Sequence, residues 1–347
     1  MPSSTSSSEP ATGGAKPLWP VHWIVALVLL VGVVGSWEAF WRSHDFVPTV
    51  SDDPALWART RERANEQGED AVVLVGSSRM QMDIQQQAFA RTTGWSEALQ
   101  LAVVRGPSFP VLENLAADER FRGVVICEIN PVLFFADTPR IDRMLDGHFA
   151  AFEALMPGAR VEQRLAMTFQ ASFVTRLPDL GFAPLRQAWS YGRLPLPGYN
   201  SSVSEDRFRY GDYLKVPNLA AANRANARLM RSTTPRVLQP SQLAERLREA
   251  DAFVRAIEDR GGQVVFVHLP SSLHVLAYEE RWWKRADTWD KLVPATDAVA
   301  VHYLDHSPLR SFDPPDGDHL GRDAADLFSE RLGEVLVSLG VAPGPGS

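Results

Sequence analysis

The sequence is short of the residues that staple or charge a protein, and each shortage removes a class of function. One of its 347 residues is cysteine. Cys127 sits inside the apolar run GVVIC, which reads as a buried core thiol and leaves no partner for an internal disulfide. Positive charge is also scarce: 35 Lys and Arg stand against 42 Asp and Glu, a net charge of −7. Nucleic acid is therefore not an expected partner, because neutralising phosphates takes clustered Lys and Arg. The one basic cluster, Arg224 to Arg236, reads as a solvated surface. Missing too are a phosphate-cradling Walker loop, a dinucleotide glycine fingerprint, an HExxH pair and paired CxxC motifs, so neither a metal nor a nucleotide cofactor is expected.

Charge is absent altogether from Leu18 to Trp37, a stretch that includes IVALVLLVGVV. As a helix it is long enough to cross a bilayer core of about 30 Å. Trp19, Trp23, Trp37 and Trp41 flank it, as suits the two membrane interfaces. The reading is a disordered Ser-, Gly- and Pro-rich segment over 1–17, a transmembrane signal anchor over 18–40, and a polar membrane-proximal segment over 41–70. The bulk of the chain is placed outside the cytoplasm. A cleaved signal peptide, cut near Val34-Gly35-Ser36, competes with the anchor.

What remains carries the rhythm of an α/β domain over 71–340, with a tail at 341–347. Short β-branched runs begin at AVVLV (Ala71 to Val75) and continue with ALQLAV (Ala98 to Val103), GVVICEI (Gly123 to Ile129), QVVFVHL (Gln263 to Leu269) and AVAVHY (Ala298 to Tyr303). Helical spacing separates them, most clearly at Leu243, Leu247, Ala250, Val254 and Ile257. Strands alternating with helices predict a mainly parallel sheet of about five strands covered on both faces. Phe134 to about Pro240 breaks the rhythm with aromatics, prolines and polar turns. It reads as an irregular insertion, a lid or surface elaboration.

Two stretches carry chemistry. The first strand stops at Gly76 and is followed by Ser77, Ser78 and Arg79; near the other end sits Asp316-Gly317-Asp318-His319 ahead of the closing helix. A serine hydroxyl needs a base to take its proton, and a third group to orient the base. His319 supplies the base. Asp316 and Asp318 compete as the orienting acid, with Asp316 favoured because adjacent side chains point apart. Against this stands a plain acidic turn capping the last helix.

In order, GSSR after strand one, Gly106 after strand two, Asn130 after strand three and D-x-x-H before the last helix resemble the SGNH (GDSL-type) hydrolase superfamily. The first block is similar to that of membrane-anchored relatives such as the D-alanine transfer protein and the alginate O-acetylation proteins. The resemblance implies a flavodoxin-like three-layer α/β sandwich. It implies a Ser78 nucleophile with His319 and Asp316, and an oxyanion hole from the Ser78 and Gly106 amides and the Asn130 side chain. The chain departs from the family at Ser77, where Asp is usual, and at Glu128-Ile129-Asn130-Pro131, where Gly-x-Asn-Asp is usual.

The expected function is a membrane-anchored serine esterase or O-acyltransferase working through an acyl-Ser78 intermediate on a cell-envelope glycan or related ester. Its partners would be an acyl donor, the glycan and, as the resemblance implies, a multi-spanning membrane acyltransferase. Arg79 and His274 are candidate substrate contacts, and no cofactor is expected. Two readings compete: a non-catalytic envelope scaffold or glycan-binding protein on the same fold, and a soluble cytoplasmic esterase whose apolar segment is a core helix. His268 and His302, inside strand runs, read as core or edge residues. Trp282 and Trp283 read as core anchors.

Overall fold

The computed structural model describes residues 19–345 except 138–142, 178–179, 193, 196–197 and 199–201. The disordered stretch expected at 1–17 lies outside the described residues. The chain divides into two units at Phe46.

The first unit contains one helix, α1 (Trp19–Arg42). Its 24 residues extend about 36 Å at 1.5 Å per residue. It is long and apolar enough to be a membrane anchor or a signal sequence.

The second unit, from Val47 onward, is a five-stranded, all-parallel sheet. Its strands are β1 (Val72–Val75), β2 (Leu99–Gln100), β3 (Val124–Glu128), β4 (Gln263–His268) and β5 (Val299–His302), in the order β2-β1-β3-β4-β5. This is the flavodoxin-like doubly wound order, whose switch point lies between β1 and β3. Alternate residues explain the near-continuous apolar runs, because both faces are buried. Val73, Val75, Val125, Cys127, Val264 and Phe266 face one core. Val72, Leu74, Ile126, Val265, Val267 and Val301 face the other.

Before and between the first strands come α2 (Pro54–Gln67), α3 (Ser78–Asp83), α4 (Gln86–Thr93) and α5 (Phe109–Ala117), with a single turn, α6 (Pro131–Phe134), after β3. Next come α7 (Asp146–Glu153), α8 (Pro157–Ser172), α9 (Phe182–Ser190) and α10 (Leu219–Ser232). The rhythm then resumes with α11 (Pro240–Glu258), α12 (Leu273–Trp282), α13 (Trp289–Thr296) and α14 (Arg322–Ser338). Helices α2, α5, α11 and α13 cover the first core; α3, α4 and α14 cover the second.

Three features differ from the sequence expectation. The second strand is shorter, because β2 lies at the sheet edge. Beyond it the chain still donates from Leu101 and Val103 to the Leu74 and Gly76 carbonyls, at 2.8 and 3.0 Å, without complete pairing. Residues 54–67 pack into the α/β core: Trp57 is fully buried and its indole donates to the Leu101 carbonyl at 2.8 Å. The segment 134–240 is largely helical where described. Its prolines and glycines interrupt short helices and so hide their periodicity.

Candidate active site

The switch point is built from the end of β1. Ser77 caps α3 by accepting from the Arg79 amide, which fixes the turn and sets Ser78 at the first helical position. Ser78 is half-buried among buried neighbours, so its hydroxyl stays reachable. Gly76 has no alternative here. A Cβ at that position would run into the Glu128 carboxylate and lie 2.7 Å from the Glu128 Cβ.

His319 arrives from the loop before α14. Asp316 accepts from the amides of Asp318 and His319 with one oxygen, at 2.8 and 2.7 Å. Its other oxygen faces His319 Nδ1 at 3.1 Å. His319 Nε2 lies 2.8 Å from Ser78 Oγ. Gly317 permits this tight turn: its φ is +92°, and a Cβ there would lie 2.9 Å from Val275 Cγ2. The structure thus brings Ser78, His319 and Asp316, separated by 241 and 3 residues of sequence, into one hydrogen-bonded chain. It also separates the two rival acids: Asp316 takes Nδ1, while Asp318 Oδ2 stands 3.6 Å from Nε2.

Burial works against charge on this imidazole, but the hydrogen bond to Asp316 and the charges of Asp318, Asp316 and Asp83 raise its pKa to about 9. Burial would likewise raise Asp316, yet the His319 bond and charge and the two backbone amides hold it down at about 2. Asp83 enters this balance through its charge. It is fully buried and accepts from the Leu320 amide at 2.8 Å. Burial outweighs the nearby His319 charge and pushes it well above the usual carboxylate range.

The expected oxyanion donors divide. The Ser78 amide, at the first turn of α3, has no intrahelical acceptor. Asn130 caps α6 by accepting from the Val132 amide at 3.1 Å through Oδ1; its Nδ2 makes no protein hydrogen bond among the described residues. Gly106 lies in a tight turn. Its amide donates to the Val103 carbonyl at 2.7 Å, closing a turn in which Arg105 adopts a left-handed φ of +62°. That donor is already used.

Arg79, a candidate substrate contact in the sequence, lies in the interior. It is 2% exposed and bridges Glu279 at 2.6 Å and Asp318 at 2.5 Å. Burial lowers the charge state of an arginine, but the two carboxylates hold its pKa well above the ordinary value. Through Asp318 it restrains the carboxylate beside Nε2. His274 is half-buried at the rim, beside Gly317.

Sequence reasoning missed the polar frame around these residues. Glu128 ends β3, two residues before Asn130. It accepts from the Ser77 amide at 2.6 Å and from the Ser77 hydroxyl at 3.0 Å, and burial raises its pKa despite Arg79 and both Ser77 bonds. The unusual serine and the unusual glutamate are thus hydrogen-bond partners across β1 and β3, a link that two separate departures in the sequence do not reveal. The insertion contributes as well. The Tyr213 hydroxyl donates to the His319 carbonyl at 3.0 Å and Asn223 Nδ2 to the Pro315 carbonyl at 2.9 Å, bracing the loop that carries the base.

His268 and His302, paired across β4 and β5, stack with ring centroids 4.4 Å apart. Burial lowers both to about 3, so they are neutral at physiological pH. They line a cavity of about 80 Å³ with Trp283, Trp289 and Glu279. Among the described residues no three His, Cys, Asp or Glu side chains are grouped to hold a metal ion.

The geometry is that of a serine hydroxyl within hydrogen-bond reach of an imidazole at the carboxyl edge of a parallel sheet. Compared with known protein families, curated proteins and solved structures, the chain gives no match.

Proposed function

We propose that the protein is a membrane-anchored, SGNH-like serine esterase or O-acyltransferase whose bulk lies outside the cytoplasm. The observation that carries this reading is the 2.8 Å approach of His319 Nε2 to Ser78 Oγ, continued at 3.1 Å to Asp316. With the imidazole neutral, the Ser78 hydroxyl donates to Nε2. Attack of Oγ on an ester carbonyl carbon passes that proton to His319, and Asp316 stabilises the imidazolium. The Ser78 amide and Asn130 Nδ2 are the donors available to the oxyanion. Collapse expels the alcohol, protonated by His319, and leaves acyl-Ser78. A water or a glycan hydroxyl, deprotonated by His319, then takes the acyl group and restores the serine.

The apolar α1 favours an envelope glycan as acceptor, with a multi-spanning acyltransferase as the source of acyl groups. The test is to acylate the full chain with p-nitrophenyl acetate and follow loss of the acyl group from Ser78 with and without acceptor oligosaccharide. Loss accelerated by the oligosaccharide, with acylated sugar as product, identifies a transferase; loss to water that no acceptor changes leaves an esterase. A non-catalytic, glycan-binding role draws on one observation, the commitment of the Gly106 amide to Val103. It predicts that Ser78 is never acylated.

A further inference from the structure

The α/β unit carries a second feature that the serine chemistry does not use, on the insertion beside the start of the unit. After Val47 the chain is fastened at once: the Val50 amide donates to the Val203 carbonyl at 3.2 Å, the Val203 amide to Thr49 Oγ1 at 2.6 Å, and the Ser51 amide to Gln170 Oε1 at 2.9 Å. Gln170 lies on α8, whose Met167 and Ala171 pack against Val50, Leu56 and Val203. The opposite side of α8 has no such cover. Leu165, Phe169 and Phe173, four residues apart and so on one helix face, are 58%, 58% and 40% exposed. The two phenylalanine rings stack at 6.4 Å. In the following helix, α9, Phe182 and Trp189 are 82% and 84% exposed.

Beside this stripe runs a cleft of about 420 Å³ between α2 and α8, which Leu165 shares with Arg59, Arg63, Arg164, Glu62 and Glu66. Arg63 is paired with Glu97 at 2.6 Å and Glu62 with Arg120 at 3.4 Å. Arg59 and Arg164 meet no carboxylate within ion-pair distance among the described residues. Burial and the charges of Arg164 and Arg63 lower the Arg59 pKa, against the opposing charges of Glu205 and Glu66.

We propose that this face binds the surface of an anionic phospholipid bilayer, with Leu165, Phe169 and Phe173 at the headgroup–acyl boundary and Arg59 and Arg164 on lipid phosphate. An apolar stripe bordered by arginines is the pattern of interfacial helices. The covalent tether favours lipid over a soluble protein as occupant. Only residues 43–46 lie between α1 and Val47, and they and their links span at most about 18 Å. The segment fastened to α8 therefore stays within reach of any bilayer that holds α1. This inference rests on the anchored reading.

The test uses the full chain in nanodiscs of phosphatidylcholine with phosphatidylglycerol, carrying an environment-sensitive fluorophore on Phe169→Cys, Val28→Cys or Arg331→Cys; native Cys127 is buried and escapes labelling. A doxyl-lipid quencher is expected to remove emission at 28 and 169 but not at 331, on α14. Adding Arg59→Glu and Arg164→Glu should abolish quenching at 169 and leave it at 28. Quenching at 28 with none at 169 overturns the inference and keeps the anchor, including the case in which 169 is shielded from aqueous iodide by protein. No quenching at 28 removes the anchored reading and the inference together.

Discussion

Replacing Asp318 by Asn should lower the pKa of His319, and by an amount the structure sets. Asp318 Oδ2 lies 3.6 Å from Nε2. A unit charge at that distance interacts by about 1 kcal/mol at the dielectric of water and about 5 kcal/mol at an effective dielectric near 20. The Asp318 side chain is 36% exposed and shares its charge with Arg79, so solvent and the guanidinium both screen it. The lower part of that range applies, about 1–2 kcal/mol, or roughly one pH unit. The His319 midpoint, about 9 in the native protein, should fall by about that one unit. A ¹³C histidine NMR titration measures it, with the resonance assigned by its absence from His319→Gln. Only neutral imidazole accepts the serine proton, so the rate of Ser78 acylation should climb with pH through the same midpoint in each variant. A midpoint that Asp318→Asn leaves in place or raises would refute the reasoning.

Stability should run the other way with pH. His319 is raised, so its contribution is complete below its ordinary 6.5 and disappears as pH rises through about 9. Asp316 is depressed, so its contribution is complete above 3.8 and disappears as pH falls through about 2; the thermal midpoint should accordingly be highest between these ordinary values. Arg79→Met should cost about 3–5 kcal/mol in urea unfolding, since it leaves the carboxylate of buried Glu279 without its cation. Glu128→Gln should retain the fold, as its amide can still accept from the Ser77 amide and meet the Ser77 hydroxyl. Glu128→Ala should cost about 1–3 kcal/mol by stranding the Ser77 amide. Asn130→Ala should slow acylation of Ser78 by about 10²–10³ if its amide serves the oxyanion, a loss far larger in kinetics than in unfolding.

The sheet was legible because its strands are buried on both faces and so appear as uninterrupted Val and Ile runs. Even the edge strand was found, with only its length overstated. Ser78, His319 and Asp316 were legible for a different reason: each belongs to a local motif at the end of an element, and a parallel sheet delivers such ends to one edge. The polar frame was not. Arg79 and Glu279 are 200 residues apart, and nothing in RMQMD or AYEER announces that they meet in the interior. The bond from the Gly106 amide to Val103 was hidden as well, because a glycine after a strand signals a turn, but not whether the turn spends the amide. The insertion's helices were hidden by short lengths and scattered prolines, and with them the bracing of the His319 loop by Tyr213 and Asn223.

The central claim is that Ser78 is an activated nucleophile. Its most direct test is fluorophosphonate labelling of the detergent-solubilised full chain, with the modified peptide located by mass spectrometry and folding followed by circular dichroism. One adduct is expected, on Ser78, lost in both Ser78→Ala and His319→Ala while the fold is kept. A folded native protein that takes no label, or labelling that persists unchanged in Ser78→Ala, would contradict it.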